Sequence, residues 1–512
     1  MRLVFVSIPT YVRPVPASDA PGRRARRNGE TLILQGAGLY VNSVARRSLC
    51  RGLWALATAC RDAGHEVTWI DAGDGLLESP ETMARIALAT KNADQLWMYA
   101  MTPTEHVCLQ IAREAKRRNP KIAVLLGGPH ASARYREILT EHPEIDLAST
   151  GFESSGALAA RCERLSEMPA AATRDEGGSI RIAPSESTGT YVERVAPEIL
   201  ERPIREYHLN VSSSVGCAFS CAFCVDGRLR LRSRALDGLR EELLSYDRTL
   251  PPGTLVHFFD TVFGLPRAYF DELSDFLATE THRIVFSCDV KANVVTDELA
   301  ARFARARVRL VSMGVETSQE TVLRLTRKSQ GFMDCIAAAR TLRRHLPNAI
   351  LKAYWILGLP GTTAERAQQD LAAAEALLRE GVFDIVSPKF FVPYPGTPYW
   401  DAPARHGLTI TSRDLHDYDR FHTPPVCHPD GLGAADLARL LVTYEEALSA
   451  HYARRLGVTV ASLREDLGDG PRYNGHLYDV GPALSGAGRA RPSGPVTVRP
   501  PSCAALAERP AT

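Results

Sequence analysis

The stretch Cys217-Ala-Phe-Ser-Cys221-Ala-Phe-Cys224 constrains this chain more than any other. Three thiols spaced by three and then two residues converge on one short loop, where they hold three irons of a cubane and leave the fourth open. A ferredoxin ligates every iron through Cys, so an open iron points to chemistry on a bound molecule rather than to electron transfer alone. The bland alternatives are a zinc knuckle or three buried structural thiols. Zinc wants a fourth ligand from a paired CxxC or a nearby His, and no such pair lies downstream.

Such a loop needs a host, and 512 residues provide for two or three domains. The apolar fraction of 45% and charged fraction of 23% are those of an ordinary globular protein, and a net charge of +2 gives no electrostatic footprint for nucleic acid. Eleven cysteines are too few and too scattered for a disulfide scaffold, and three must stay reduced to hold iron, which points to a cytoplasmic setting. The opening MRLVFVSIPT is too brief for a signal peptide, and no run approaches the ~20 apolar residues that span a bilayer, so no membrane association is expected.

Residues 1–160 read as alternating strands and helices: strands at Leu3–Ser7, Val67–Ile70, Gln95–Ala100, Ile122–Leu126 and Asp146–Thr150, with helices at Ser48–Ala63, Glu81–Thr90, Thr104–Arg118 and Ala131–Leu139. That pattern predicts an α/β, Rossmann-like doubly wound sheet whose ligand sits beyond the carboxyl ends of its strands. No GxGxxG follows the first strand, which disfavours a dinucleotide. Gly127 and Gly128, directly after a strand, let backbone approach a flat ligand closely. The Arg-rich segment 18–31 reads as a mobile insertion and residues 161–208 as a linker, ending in a strand from His208 that delivers the cysteine loop.

Residues 209–400 alternate again, with about six strand and helix units that predict a partial (β/α)6 TIM-like barrel. Unusual polar residues fall at its strand ends: Asp260, Asp289, and Glu316 followed by Lys328. Gly358 and Gly361 mark a later turn. Asp289 is read equally as a ligand-binding carboxylate or as a cap on the following turn. Residues 401–467 are expected to be mostly helical, with His406 to His428 as a lid over the barrel mouth and Leu437–Ala453 as a helix; 468–512 are expected to be a disordered tail. Cys427 is an extra ligand, a proton donor or an inert thiol.

With Phe223 just before its last Cys, the triplet resembles the signature of the radical S-adenosylmethionine (SAM) superfamily. The segments 63–72 and 126–132 resemble the cobalamin-binding domain that precedes many such barrels, and 393–398 resembles the closing segment of those branches. The resemblance implies a 4Fe-4S cluster on Cys217, Cys221 and Cys224, SAM on its open iron, and methylcobalamin. It further implies that Phe223, Asp260, Asp289, Glu316, Lys328, Gly358 and Gly361 approach SAM, and Gly127, Gly128 and His130 the corrin. His130 as axial cobalt ligand competes with His130 as a packing or hydrogen-bonding residue, because the Asp-x-His-x-x-Gly of protein-ligated cobalt is absent.

Most relatives implied by this resemblance are methyltransferases. The expected function is C-methylation of an unactivated carbon of a small metabolite, in natural-product or antibiotic biosynthesis, with an external one-electron reductant of flavodoxin or ferredoxin type. The alternative is a cobalamin-binding radical enzyme that cyclises or rearranges its substrate without methyl transfer. tRNA methylthiolation is disfavoured because Cys50, Cys60, Cys108 and Cys162 lack the pattern of a second cluster, and a cobalamin sensor would not need the triplet.

Overall fold

The computed structural model describes residues 1–8, 49–72, 80–175, 177–187, 189–207, 209–418, 425–457 and 459. The expected insertion at 18–31, the tail at 468–512, His208 and part of the expected lid lie outside the described residues.

The first sheet contains β1 (Arg2–Ser7), β2 (Glu66–Asp71), β3 (Gln95–Tyr99), β4 (Ala123–Gly127) and β5 (Leu147–Ser149), all parallel, in the order β2-β1-β3-β4-β5. Both faces are buried, as continuous apolar strands require. Leu3 and Phe5 face Leu53, Trp54 and Leu56 of α1 (Arg51–Asp62), whereas Val4 and Val6 share a core with α2 (Pro80–Thr90), α3 (Glu105–Arg118) and α4 (Pro129–Glu141). The order reverses between β1 and β3, the switch point at which such sheets take their ligands.

Residues 161–208 are more than a linker. β6 (Ala171–Arg174) and β7 (Ile180–Ala183) extend the sheet antiparallel from β5, joined by a turn in which Asp175 accepts hydrogen bonds from the Gly177 and Ser179 amides. Asp-Glu-Gly-Gly is a turn signal, but strands of four residues carry too little periodicity to be recognised beside it. The following stretch then crosses to the second domain, accepting a hydrogen bond from Trp54 Nε1 at the Ala196 carbonyl on the way (2.9 Å).

The second sheet is a parallel, open partial barrel of β8 (Asn210–Val211), β11 (Leu255–Phe258), β12 (Val285–Val290), β13 (Val308–Glu316), β14 (Ile350–Leu357) and β15 (Ile385–Phe390), in that order. Between β8 and β11 lies the antiparallel pair β9 (Ser214–Val215) and β10 (Arg232–Ser233). Phe286, Cys288 and Val290 of β12 point into the core with the outer helices. Ser287 and Asp289 alternate with them and face the barrel interior. The C-terminal helix Ala434–Leu456 belongs to the barrel wall rather than to a cover: Tyr452 bonds the Val386 backbone, and Tyr444 and Leu448 are buried in the barrel core.

The domains are joined by buried charge. Glu242, on the helix Leu236–Thr249, accepts from Arg51 at the start of α1 (2.7 and 2.8 Å) and from fully buried Arg234 (2.7 Å), with Tyr246 Oη on the same carboxylate. Arg51 also reaches Glu193 of the crossing segment and the Asn210 carbonyl of β8. Burial pushes the Glu242 carboxyl upward, but the two guanidinium groups outweigh it and bring it to about 2. Removing a buried charge partner typically costs ~3–5 kcal/mol. Glu242→Gln is therefore expected to lower the thermal unfolding midpoint markedly at neutral pH. A carboxyl depressed in the folded state stabilises above its unfolded value of about 4.5. The gap between the variant and the parent should accordingly shrink as pH falls from there toward 2, which scanning calorimetry across that range would read.

Candidate functional site

The three cysteines lie on the hairpin loop between β9 and β10, and the loop's shape is imposed by its glycines. Gly216 has φ +77°, and a Cβ there would come within 2.4 Å of the Arg230 carbonyl oxygen; one on Gly227 would meet the Phe219 carbonyl at 2.8 Å. The Cys217 amide donates to the Leu229 carbonyl and the Ala222 amide to the Thr326 carbonyl (3.0 and 2.9 Å), which closes the loop and pins it to the segment before Lys328. Cys217, Cys221 and Cys224 are half-buried, a state shared among the described cysteines only by Cys50. The Phe219 amide donates to the Cys217 sulfur (3.4 Å), the kind of contact that stabilises a metal thiolate. Burial, with Asp226 beside it, pushes the Cys224 thiol up to about 12. A coordinated metal is the group that deprotonates such a thiol outright. The donor set, all sulfur and held by backbone, fits an iron-sulfur cluster.

Asp260, expected at SAM, lies beneath the cysteine loop instead. It is buried and accepts from the Ser213 amide and hydroxyl (3.0 and 2.6 Å) and from the Ser214 hydroxyl. Burial raises its carboxyl and these hydrogen bonds oppose the rise. Thr261 adds a bond to the Gly216 carbonyl. The end of β11 thus brackets the strand that delivers the loop.

Around the barrel mouth the remaining strand-end residues gather. Glu316 has φ +70°, a left-handed conformation that a residue with a side chain rarely adopts, at a register shift in β13. There it pairs with Lys328 at 2.7 Å, both side chains 8% exposed. Burial works against the Lys328 ammonium, yet Glu316 outweighs burial and holds it above its ordinary range. Room for the pair depends on Gly314, where a Cβ would sit 2.3 Å from Glu316 Oε1. The Phe223 ring lies under Lys328 at 5.7 Å, linking the pair to the cysteine loop. Asp289 accepts from Tyr354 Oη (3.4 Å) inside the barrel, and among the described residues no backbone amide of the following turn donates to its carboxylate. Gly358 and Gly361 have φ near +84°, a left-handed backbone that favours glycine at both, and abut the side chains of Leu437 and Leu325.

The polar lining of the barrel escaped the sequence reading. His257 meets Ser287 at 3.0 Å, and burial lowers its basicity against the pull of Asp289. Lys352 and Lys389 lie against the Tyr354 ring at 5.2 and 4.8 Å. Strict polar-apolar alternation at 286–291 was the available signal, since a parallel strand buried on both faces has no other reason to alternate.

In the first domain Gly128 has φ +103°, and a Cβ would strike the Ala100 carbonyl at 2.7 Å and the Tyr99 ring at 3.1 Å. Glycine is required there, and with Gly127 and Ala100 it leaves small groups at the carboxyl ends of β3 and β4, which fits a flat corrin. His130 does not fit as a cobalt ligand: its ring is buried, with Nδ1 on Thr102 Oγ1 (3.2 Å) and Nε2 on Glu105 Oε1 (3.0 Å). Cys427 is also engaged, donating to the Phe391 carbonyl from a buried cluster that pushes its thiol up to about 12. Of the expected lid, Leu415–Asp417 packs on Thr102–Thr104 of the first domain, and the His416 ring lies 4.1 Å from that of His106. Among the described residues no helix is long and apolar enough to cross a membrane.

Two substitutions separate these roles. Gly314→Ala is expected to displace the Glu316–Lys328 pair, weakening SAM binding in equilibrium dialysis by tenfold or so while iron content stays at the parent level. His130→Ala is expected to lower the unfolding midpoint and leave the optical spectrum of bound hydroxocobalamin unchanged; a shifted corrin spectrum would return His130 to the cobalt.

Comparison with known proteins accords with this geometry. The B12 binding domain family matches residues 39–159, and the Radical SAM superfamily matches residues 211–374. An uncharacterized methyltransferase of Pyrococcus horikoshii, PH0819, is 25% identical over 381 residues, covering 70% of this chain and 79% of the relative. The anaerobic magnesium-protoporphyrin IX monomethyl ester cyclase of Synechocystis is 24% identical, covering 73% and 78%. Among solved structures, the radical SAM methyltransferase TsrM of Kitasatospora setae, with cobalamin and a [4Fe-4S] cluster bound, shares the fold with a TM-score of 0.63 at 16% identity, over 91% of this chain and 99% of that one. The two domains imply a [4Fe-4S] cluster, SAM and cobalamin as cofactors. The chain thus carries a B12 binding domain followed by a Radical SAM domain with its cysteine triplet on a partial barrel, the domain pair of a cobalamin-dependent radical SAM enzyme.

Proposed function

We propose that the enzyme transfers a methyl group to an unactivated carbon of a small metabolite in natural-product biosynthesis. The observation that carries this reading is the rigid junction: Arg51, Glu193, Arg234 and Glu242 tie the B12 binding domain to the barrel through buried, charge-assisted hydrogen bonds. When bound, the cluster with SAM supplies hydrogen-atom abstraction and cobalamin supplies the methyl group. Cys217, Cys221 and Cys224, on the loop between β9 and β10, would hold the cluster. Glu316 and Lys328 offer SAM a carboxylate and an ammonium at fixed separation, and Asp289, held by Tyr354, faces the same interior. That interior, lined by His257, Ser287, Lys352 and Lys389, is suited to a small polar substrate rather than to a nucleic acid, in keeping with the near-neutral net charge. The electron comes from an external one-electron donor of flavodoxin or ferredoxin type. PH0819 and TsrM, both named methyltransferases, support the reading.

The cyclase relatives favour a second reading, a cyclisation without methyl transfer. Product analysis separates the two. The reconstituted holoenzyme, given SAM bearing a deuterated methyl group and the small-molecule fraction of a producing cell, is expected to form S-adenosylhomocysteine and 5′-deoxyadenosine together, with the labelled methyl carried to a new carbon. Deoxyadenosine without S-adenosylhomocysteine would select the cyclisation.

A further inference from the structure

Lys291 directly follows β12 and is 5% exposed. Its position is rigid. The Ala292 amide donates to Gln330 Oε1 (2.8 Å), and Gln330 Nε2 in turn donates to the Gly314 carbonyl (2.7 Å), clipping the end of β12 to β13. The Lys291 ammonium donates to the Ser329 hydroxyl and lies 3.9 Å from the centre of the Phe219 ring, between two of the cluster cysteines in sequence. Neither contact carries a negative charge. Among the described residues no carboxylate lies within ion-pair distance of it, and Glu316, the carboxylate whose charge bears on it, is already bonded to Lys328.

A buried ammonium facing a hydroxyl and an aromatic ring recovers only part of its lost hydration. The groups whose charge bears on it are the Cys221 and Cys217 sulfurs and Glu316, which favour the ammonium, and Lys328, which opposes it. A cluster on three thiolates is an anion, and reduction adds one further negative charge with no proton transferred and no bond made or broken. A fixed cation beside the loop favours the reduced form, because a low-dielectric surrounding screens it little.

We propose that Lys291 is a positioning residue for the electron rather than for a substrate: it is the counter-charge of the cluster and raises the cluster's reduction potential. The external one-electron donor then needs less driving force. Lys328 also faces Cys221, but it shares its charge with Glu316.

The test is an EPR-monitored redox titration of the reconstituted holoenzyme in the absence of SAM. At a fixed potential, Lys291→Met and Lys291→Gln are expected to lower the ratio of reduced to oxidised cluster by about tenfold, ~59 mV for a one-electron couple. Lys291→Arg is expected to keep the parent midpoint. Equal midpoints in all four proteins would overturn the proposal. So would a loss of SAM affinity in dialysis with the SAM-free midpoint unchanged, which would make Lys291 a SAM ligand. Failure of both neutral variants to take up iron would likewise overturn it, by making Lys291 a structural part of the loop.

Discussion

Everything in this architecture that concerns two cofactors depends on a single buried carboxylate. Glu242 lies between Arg51 of the first domain and Arg234, which directly follows the loop's return strand, and each guanidinium also reaches Glu193 in the segment that crosses between them. Burying an ion pair gains little net stability, because desolvation offsets most of the attraction. What it enforces is geometry: any displacement of the first domain leaves a charge unpaired in an apolar surrounding. Gly238 belongs to this joint, since a Cβ there would come within 2.9 Å of the Glu193 carbonyl. The cost of charge burial is thereby converted into a fixed relation between the carboxyl edge of one sheet and the mouth of the other.

The same economy of backbone and charge recurs at the cluster loop. Asp260 holds the incoming strand, Gly216 and Gly227 permit the close turns, and the Ala222 amide fastens the loop to the segment that carries Lys328. One connected scaffold therefore sets both the three cysteines and the Glu316–Lys328 pair. The left-handed backbone of Glu316 is tolerated because that scaffold over-determines it, and strained residues of this kind collect where a ligand is gripped. Lys291 adds a second cation to the loop: it lies against Phe219 and Lys328 against Phe223, and among the described residues only Lys328 has a carboxylate partner.

Much of this was legible beforehand, for reasons that are local. The spacing of Cys217, Cys221 and Cys224 is a statement about one loop, and strands such as Leu3–Ser7 or Ile350–Ile356 announce themselves by apolar runs between helices of clear periodicity. Less legible were features made by distant partners. Asp260 looked like a ligand-binding carboxylate and turned out to brace two serines; His130 follows a Gly-Gly-Pro turn as a metal ligand might, and is instead held by Thr102 and Glu105. The hairpin Ala171–Ala183 was hidden by the shortness of its strands, and the helix Ala434–Leu456 was visible while its place in the barrel wall was not.

By itself the sequence determined the chemistry available to this protein, because thiol spacing, strand-helix alternation and glycine after a strand are constraints that neighbouring residues impose on one another. Only the tertiary structure decided which polar groups are left for ligands and which are consumed in holding the fold together. A carboxylate or an imidazole has the same reactivity in either role, and what separates them is the identity of the groups, far away in the chain, that satisfy its hydrogen bonds and its charge.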